Sequence, residues 1–384
     1  MLLTLNIIAV IFTFLTFWGK LPFDHWWIRA MDFPRIQMLC IGIFSWLGLW
    51  LYFSQWQTVE LFIMPILTGA IIYQLSYVLP YTRIWKKQVA QAKDNGNERL
   101  SILVSNVLTP NNQTEKLVQL IEQHHPDIVL TLESDKKWEK ALEVIEKNYP
   151  YNVKVPLDNL YGMHLYSKLE LVNPKIHYLI IDDIPSIETQ VALRNGEKIW
   201  LYCLHPMPPS PTEADKSTTR DAEILMVGRH IRKNQQNAIL TGDLNDVACS
   251  KTTKMFRHIS GLLDPRIGRQ FTNTFHAKLP FLRWALDHLF HSPCFTLVKM
   301  QRLPSIGSDH FPVLTTLQYE PPNSQISQIQ ETESPDATAK QHEESKEKIA
   351  QGRIEGEKLS AESDNTTTLT QKPTHFNASV ANSR

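Results

Sequence analysis

The sequence has no excess charge of either sign: 39 Lys and Arg balance 39 Asp and Glu over 384 residues. Dedicated nucleic-acid-binding domains carry a surplus of Lys and Arg. The balance therefore excludes a chain built chiefly to coat DNA or RNA, although a local basic patch can hide within a neutral total. Cysteine is scarce. Cys40, Cys203, Cys249 and Cys294 are scattered, without CxxC spacing, which excludes a disulfide framework and a cysteine zinc site. Free thiols in a reducing compartment fit this usage. No Lys or Arg precedes the first apolar run, and no small-residue cleavage pattern follows it, which speaks against a secretory signal peptide. The last ~65 residues are low in aromatics, with Phe376 alone, and have no sustained apolar period, the composition of disorder.

Charge is also missing from three long runs, Leu2 to Trp18, Ile36 to Phe53 and Val59 to Leu79, where Glu60 is the single charged residue. Each approaches the ~20 residues that cross a bilayer core. Trp18, Trp26, Trp27, Trp50, Trp56, Tyr77, Tyr81 and Trp85 lie near their ends, as interfacial aromatic belts do. A three-helix transmembrane anchor over 1–80 is expected. No ionisable pair lies within the runs, which argues against a transport path. Lys20, Arg29 and Arg35 fall in the first connection, and Arg83, Lys86, Lys87 and Lys93 after the third run. Positive charge marks the cytoplasmic side. The expected topology is a multi-pass membrane protein, with its N-terminus outside and the following domain on the cytoplasmic side. If one run does not span, the side flips.

A polar juxtamembrane linker, 81–99, precedes a change of pattern. Leu100 to Ser105 and Asp127 to Leu132 are short β-branched runs that predict strands. Glu115 to His125, stopping before Pro126, and Trp138 to Lys147 have helical spacing. Further strands are predicted over 162–167, 175–181, 189–194, 199–204, 238–241, 286–291 and 296–303, with the last beginning near Phe311 and a helix over 218–233. Many strands with few helices predict an α+β fold. It is expected as a four-layer α/β sandwich of two packed mixed β-sheets flanked by helices, spanning 100–319. The tail, 320–384, is expected to be disordered apart from a short charged helix near 340–358, supported by Glu/Lys spacing.

Polar residues recur just past the strand ends: Asn106, Glu133, His205, Asp243 with Asn245, and Asp287 with His288. Strand ends along one edge are where open sheets present ligands. Gly242-Asp243-Leu244-Asn245 joins a turn glycine to a carboxylate that can accept a proton from water and an amide that can orient a phosphoryl oxygen. An ordinary Asx-turn explains it as simply. Ser308-Asp309-His310 offers a metal ligand beside an acid/base, and Asp287 could orient the His310 ring; a capped surface loop is the plainer reading. Glu133 suits Mg²⁺, which takes one or two carboxylates plus water. His205 could contact a phosphate oxygen or help the leaving group.

Together these motifs are more specific than apart. In this order, with Leu286-Asp287 between the other two, they resemble the endonuclease/exonuclease/phosphatase superfamily, which includes the deoxyribonuclease I-like fold, over about 100–318. A bacterial subgroup with N-terminal membrane spans is similar. The resemblance implies a divalent-metal-dependent phosphoesterase. It implies Mg²⁺, or Mn²⁺, on Asn106 and Glu133, with Asp309 a further ligand. Asp243 would activate the attacking water, Asn245 orient the phosphoryl group, and His310, held by Asp287, stabilise developing charge. His205 matches a family position, and Arg194 would bind phosphate. The substrate would be a phosphodiester or phosphomonoester in a lipid, a small molecule or nucleic acid, so a nuclease is one alternative. A non-catalytic membrane scaffold is another. The proline-rich loop Leu204 to Pro211 departs from the DNA-cleaving pattern. Membrane lipids are the partners of the anchor; no obligatory protein partner is evident.

Overall fold

The apolar runs fold as helices and the β-branched runs as strands in a computed structural model that describes residues 1–93 and 98–367. The chain divides into two units. One comprises Met1–Lys86, Pro209–Ser217 and Ile267–Gln270; the other comprises Lys87–Pro208, Thr218–Arg266 and Phe271–Arg384.

The first unit holds α1 (Leu2–Trp18), α2 (Trp26–Arg29), α3 (Arg35–Leu51) and α4 (Thr58–Val78). Glycines set their spacing: a Cβ on Gly42 would lie 2.6 Å from the Phe12 ring, and one on Gly48 2.9 Å from Leu5. The polarity of this unit is inverted. Ile7, Val10, Phe14, Phe44, Phe62 and Ile72 are exposed, whereas Glu60, Gln74, Thr16 and Arg35 are buried. Asn6 donates to Glu60 at 2.7 Å, and Arg35 to Gln74 at 3.2 Å. Arg35 also meets Asp32 in a buried ion pair. Both residues precede the second apolar run, so the expectation of no ionisable pair within the runs is unaffected. By length and composition, Thr58–Tyr81 is long and apolar enough to cross a membrane; α3 qualifies only when joined to Trp26–Asp32 across a 67° bend, and α1 is shorter. The end of the proline-rich loop and the residues after it, Pro209–Ser217, belong here: the Trp26 N–H donates to the Asp215 carbonyl at 2.9 Å, and the Ser217 N–H to that of Asp24 at 2.8 Å.

In the second unit, β1 (Arg99–Asn106), α5 (Thr114–His124), β2 (Ile128–Leu132), α6 (Lys136–Glu146), β3 (Tyr151–Val155) and β4 (Met163–Ser167) precede β5 (Leu171–His177), β6 (Ser186–Ala192), β7 (Lys198–Leu204), α7 (Thr218–Lys233), β8 (Ala238–Asp243) and α8 (Lys251–Ser260). Then follow β9 (Asp287–His291), β10 (Phe295–Arg302), β11 (Val313–Tyr319), α9 (Gln325–Glu333) and α10 (Ala339–Thr367). One sheet has the order β10-β11-β1-β2-β4-β3 and the other β5-β6-β7-β8-β9. Each contains one parallel pair, β1 with β2 and β7 with β8, so both sheets are mixed, as expected.

Period-two alternation builds the layers. Ile102, Val104, Ile128 and Leu130 face Leu201, Cys203, Ile239 and Leu289 between the sheets. Their neighbours point outward: Leu103 and Val129 meet Leu117, Trp138 and Leu142 of α5 and α6. Leu240 and Phe290 meet Ile224, Leu225 and Phe256 of α7 and α8. Each such side chain contributes roughly 1.5–3 kcal/mol by burial. The result is the expected four-layer sandwich.

Several expectations need correction. Strand β3 and helix α8 carry no strong apolar run, because β3 is a sheet edge and α8 buries Thr252, Thr253 and Ser260 along with Met255 and Phe256. The strand read over 175–181 lies earlier, over Leu171–His177, with an irregular register between Val172 and Lys175. The juxtamembrane linker does not hang free: Val89 is buried, and Ala92 and Ala90 pair with Leu297 of β10 at 2.9 and 3.0 Å. In the tail, the short helix expected near 340–358 lies within the longer α10, and α9 and the rest of α10, as far as Thr367, form where disorder was expected. The inward face is mostly small and polar, with Ile349 and Leu359 its scattered apolar contacts, so it shows no sustained apolar period. The part of that expectation over 368–384 lies outside the described residues.

Helix α7 buries Glu223, whose carboxylate accepts from the Ser186 hydroxyl at 2.6 Å. Burial pushes its pKa up to about 7. A raised acid pKa favours the fold most below the unfolded value, and that stability is lost as pH rises from about 4.5 through 7. Glu223→Gln should therefore raise stability at pH 8 by about 1–3 kcal/mol, at roughly 1.4 kcal/mol per pKa unit, and do little at pH 4. Urea melts at the two pH values test this; an equal effect at both would refute it.

Candidate active site

Register brings the strand-end residues together. Asn106 of β1 lies level with Leu132, just before Glu133. Leu204, before His205, lies level with Gly242, and Asp243 lies directly opposite Asp287. Gly242 is obligatory at its place: φ is +143°, and a Cβ would sit 1.9 Å from the Leu204 carbonyl oxygen. It lets β8 run hard against β7. The turn that follows puts Asn245 in the left-handed region. There its N–H donates to the Asp243 carboxylate at 2.9 Å, and its side-chain amide to the Pro206 carbonyl at 3.0 Å.

Side chains then bridge the two sheets. The Asn106 amide donates to Glu133 at 2.7 Å and to Asp243 at 3.2 Å. Nδ1 of His310 lies 2.8 Å from Asp287 and Nε2 3.4 Å from Asp243. The Phe275 ring stacks at an angle on His310, 4.9 Å between centroids. Asn106, His205, Asp243, Asp287 and His310 are all buried, while Glu133, Asn245 and Asp309 are partly exposed. The expected site residues thus converge, with one exception. Arg194 lies at the opposite end of the strands, ion-paired with Asp127 and donating to the Arg99 carbonyl at 2.7 Å. It follows β6, which runs antiparallel to β7, so its strand end is the wrong one.

The electrostatics assign protons. Burial would lower the His310 pKa, but Asp287 and Asp243 override it and hold the ring protonated, up to about 10. Burial would raise Asp243, but His310 and His205 keep it below the usual carboxylate range. Burial drives His205 down to about 4, so this imidazole is neutral at pH 7, and its Nδ1 is buried without a partner. Burial pushes Glu133 up to about 8, against the Asn106 hydrogen bond, with Asp309 and Asp243 adding repulsion.

Among the described residues, two groups could hold a cation. Asp243, Asp287 and His310 can each offer a ligand atom within 4.8 Å of the others. Both ring nitrogens of His310 are already engaged there, and a protonated ring cannot ligate. Glu133 is the better candidate. Its Oε2 is buried with no partner, beside the charge of Asp309. A divalent ion such as Mg²⁺ would displace the proton that burial holds on this carboxyl group and find oxygen donors around it.

Two neighbours escaped the sequence reading, and a third, His288, was read on the wrong face. Arg220 of α7 donates to the Asn245 carbonyl at 2.7 Å. Asp246 accepts from Thr253 at 3.0 Å and from Ser250. His288, read with Asp287, faces the other way, as alternation along a strand requires: its Nε2 lies 2.8 Å from the Asp246 carbonyl and its Nδ1 2.8 Å from Arg266. Asp246 directly follows Gly242 to Asn245 and could have been flagged; Arg220 had no local signal.

The profile of the Endonuclease/Exonuclease/phosphatase family matches residues 103–310, more than half of the chain. No curated protein matches it. Among solved structures, D. rerio TDP2 complexed with single strand DNA product is 18% identical over 57% of this chain and 99% of that one, with a TM-score of 0.47. The endonuclease/exonuclease/phosphatase from Beutenbergia cavernae DSM 12333 is 16% identical over 58% and 72%, with a TM-score of 0.47. The human Nocturnin catalytic domain with bound sulfate anion is 15% identical over 58% and 94%, also at 0.47.

Proposed function

Because the chain belongs to the endonuclease/exonuclease/phosphatase family, we propose that it is a divalent-metal-dependent phosphoesterase that cleaves a phosphodiester or phosphomonoester with an activated water. One observation carries the reading. A protonated imidazole held between two buried carboxylates stands next to a carboxylate with an unpartnered oxygen.

Roles follow from chemistry. Asp243, ionised, accepts the proton of the attacking water. His310, positive, sits ready to neutralise charge building on the phosphoryl and leaving oxygens, and Asp287 fixes its ring. Asn245 orients the phosphoryl group. Neutral His205 offers a hydrogen bond to a phosphate oxygen. Glu133, Asn106 and Asp309 would hold Mg²⁺ or Mn²⁺. Bound there, the ion supplies a Lewis acid for the phosphoryl oxygens.

The membrane anchor belongs to the same proposal. Apolar outer faces and polar contacts inside the first unit are the arrangement lipid favours over water. An inner-membrane location and a lipid or small phosphoester as substrate are supported by this apolar unit and the balanced charge; three spans would put the catalytic residues on the cytoplasmic side, with the basic residues that flank the runs.

The test uses the full chain in detergent, with bis(p-nitrophenyl) phosphate and p-nitrophenyl phosphate, Mg²⁺ or Mn²⁺, and EDTA as control. Metal-dependent release is expected, and the preferred ester separates diesterase from monoesterase. No release from folded protein with either ester and either metal would favour the scaffold instead.

A further inference from the structure

We propose that Lys348, on the C-terminal helix α10, is a positioning residue for the catalytic turn, acting through Asp221 and Arg220. The proposal rests on reading Asp243 and Asn245 as catalytic.

A buried chain of charges joins the two places. The Lys348 ammonium lies 2.9 Å from Oδ2 of Asp221. Oδ1 of Asp221 accepts from Arg220 twice, at 3.1 Å from Nε and 2.8 Å from Nη2. The remaining arm of that guanidinium donates to the Asn245 carbonyl at 2.7 Å and lies 3.5 Å from the Asp246 carboxylate. Side-chain exposure along the chain is 10% at Lys348, 1% at Asp221 and 2% at Arg220. Solvent screening is therefore slight.

The contact falls at a sensitive atom. The Asn245 peptide N–H aims at Asp243, and its carbonyl is the group Arg220 holds. Fixing that carbonyl fixes the direction of the turn between the proton acceptor and the phosphoryl-orienting amide. Asp246, next along, is pinned from other sides by Thr253 and by His288 on its carbonyl.

Helix α10 is fitted to this task. Its inward residues are four apart: Lys348, Gly352 and Gly356. A Cβ on Gly352 would lie 2.2 Å from Cβ of Ala222 on α7, and one on Gly356 2.2 Å from the Ile180 carbonyl oxygen. Close backbone approach brings a lysine stem within reach of Asp221. Arg229 of α7 donates to Ser345 at 3.0 Å, one turn earlier. All of α10 lies beyond residue 310, where the family match ends. Apolar residues of equal volume would pack at least as stably as a buried ion chain, so the charges answer a need for position rather than for stability.

The test compares the full chain with Lys348→Met by amide hydrogen exchange and by hydrolysis of bis(p-nitrophenyl) phosphate with Mg²⁺. Exchange over residues 242–250 should quicken at least tenfold while peptides from β1 and β2 keep their rates, and kcat should fall about tenfold at unchanged KM. Asp221→Asn with Lys348→Met strands no carboxylate and should show the same local loosening, which covers the case in which the single variant does not fold. Exchange that is unchanged, or that quickens equally throughout the unit, would overturn the proposal. A wild-type protein that hydrolyses no ester would sink the phosphoesterase reading alone, since exchange still decides whether Lys348 holds the turn.

Discussion

Asp243→Asn should lower kcat by about 10²–10⁴-fold, the usual worth of a general base, and move KM by less than about threefold. The substitution keeps volume and an acceptor for the Asn245 N–H. It removes the charge that can take a proton from water. It also removes one of the two carboxylates that hold the His310 ring positive. Two contributions to the transition state are thus weakened by one change, so the loss should fall in the upper part of that range. Steady-state kinetics on the preferred ester give the number. A kcat within tenfold of wild type would mean that another group activates the water, and His205, neutral and with a free Nδ1, would be the next to test.

How much of this was legible depends on which force placed each group. The four layers were readable because they rest on period-two and helical alternation of apolar residues, as in Ile102, Leu103 and Val104. The convergence of Asn106, Glu133, Asp243, Asp287 and His310 was readable because polar residues ending strands in a known order share an edge. Arg194 was misplaced because a strand end says nothing about strand direction, and β6 runs the other way. His288 was paired with Asp287 by adjacency, although neighbours on a strand face opposite sides. The Glu/Lys spacing over 340–358 made part of helix α10 readable, but not its docking, because its packing uses Gly352, Gly356, Ser345 and Lys348, residues that read as polar and flexible. Their partner surface, Ala222 and Asp221, lies more than a hundred residues away. Long-range ion chains leave no local periodicity.

Glu133→Gln should stabilise the metal-free protein and at the same time abolish its stabilisation by Mg²⁺. The two effects have one cause. Oε2 of Glu133 is shut off from solvent without a partner, close to the charges of Asp309 and Asp243. An unsatisfied buried group costs about 1–3 kcal/mol, and glutamine removes its charge while keeping an oxygen for the Asn106 amide, which donates at 2.7 Å. The same charge is what would draw a cation. In the wild type, Mg²⁺ at a hundred times its dissociation constant should add about 2.7 kcal/mol; in the variant that gain should vanish and hydrolysis with it. Melts with EDTA and with Mg²⁺, on both proteins, read all four values. A variant that gains nothing without metal would show that the carboxylate is not strained. A variant that keeps the full Mg²⁺ response would move the ion to Asp243, Asp287 and His310, whose ligand atoms already lie within 4.8 Å of one another, and the imidazole would then have to give up one of its two carboxylates to bind it.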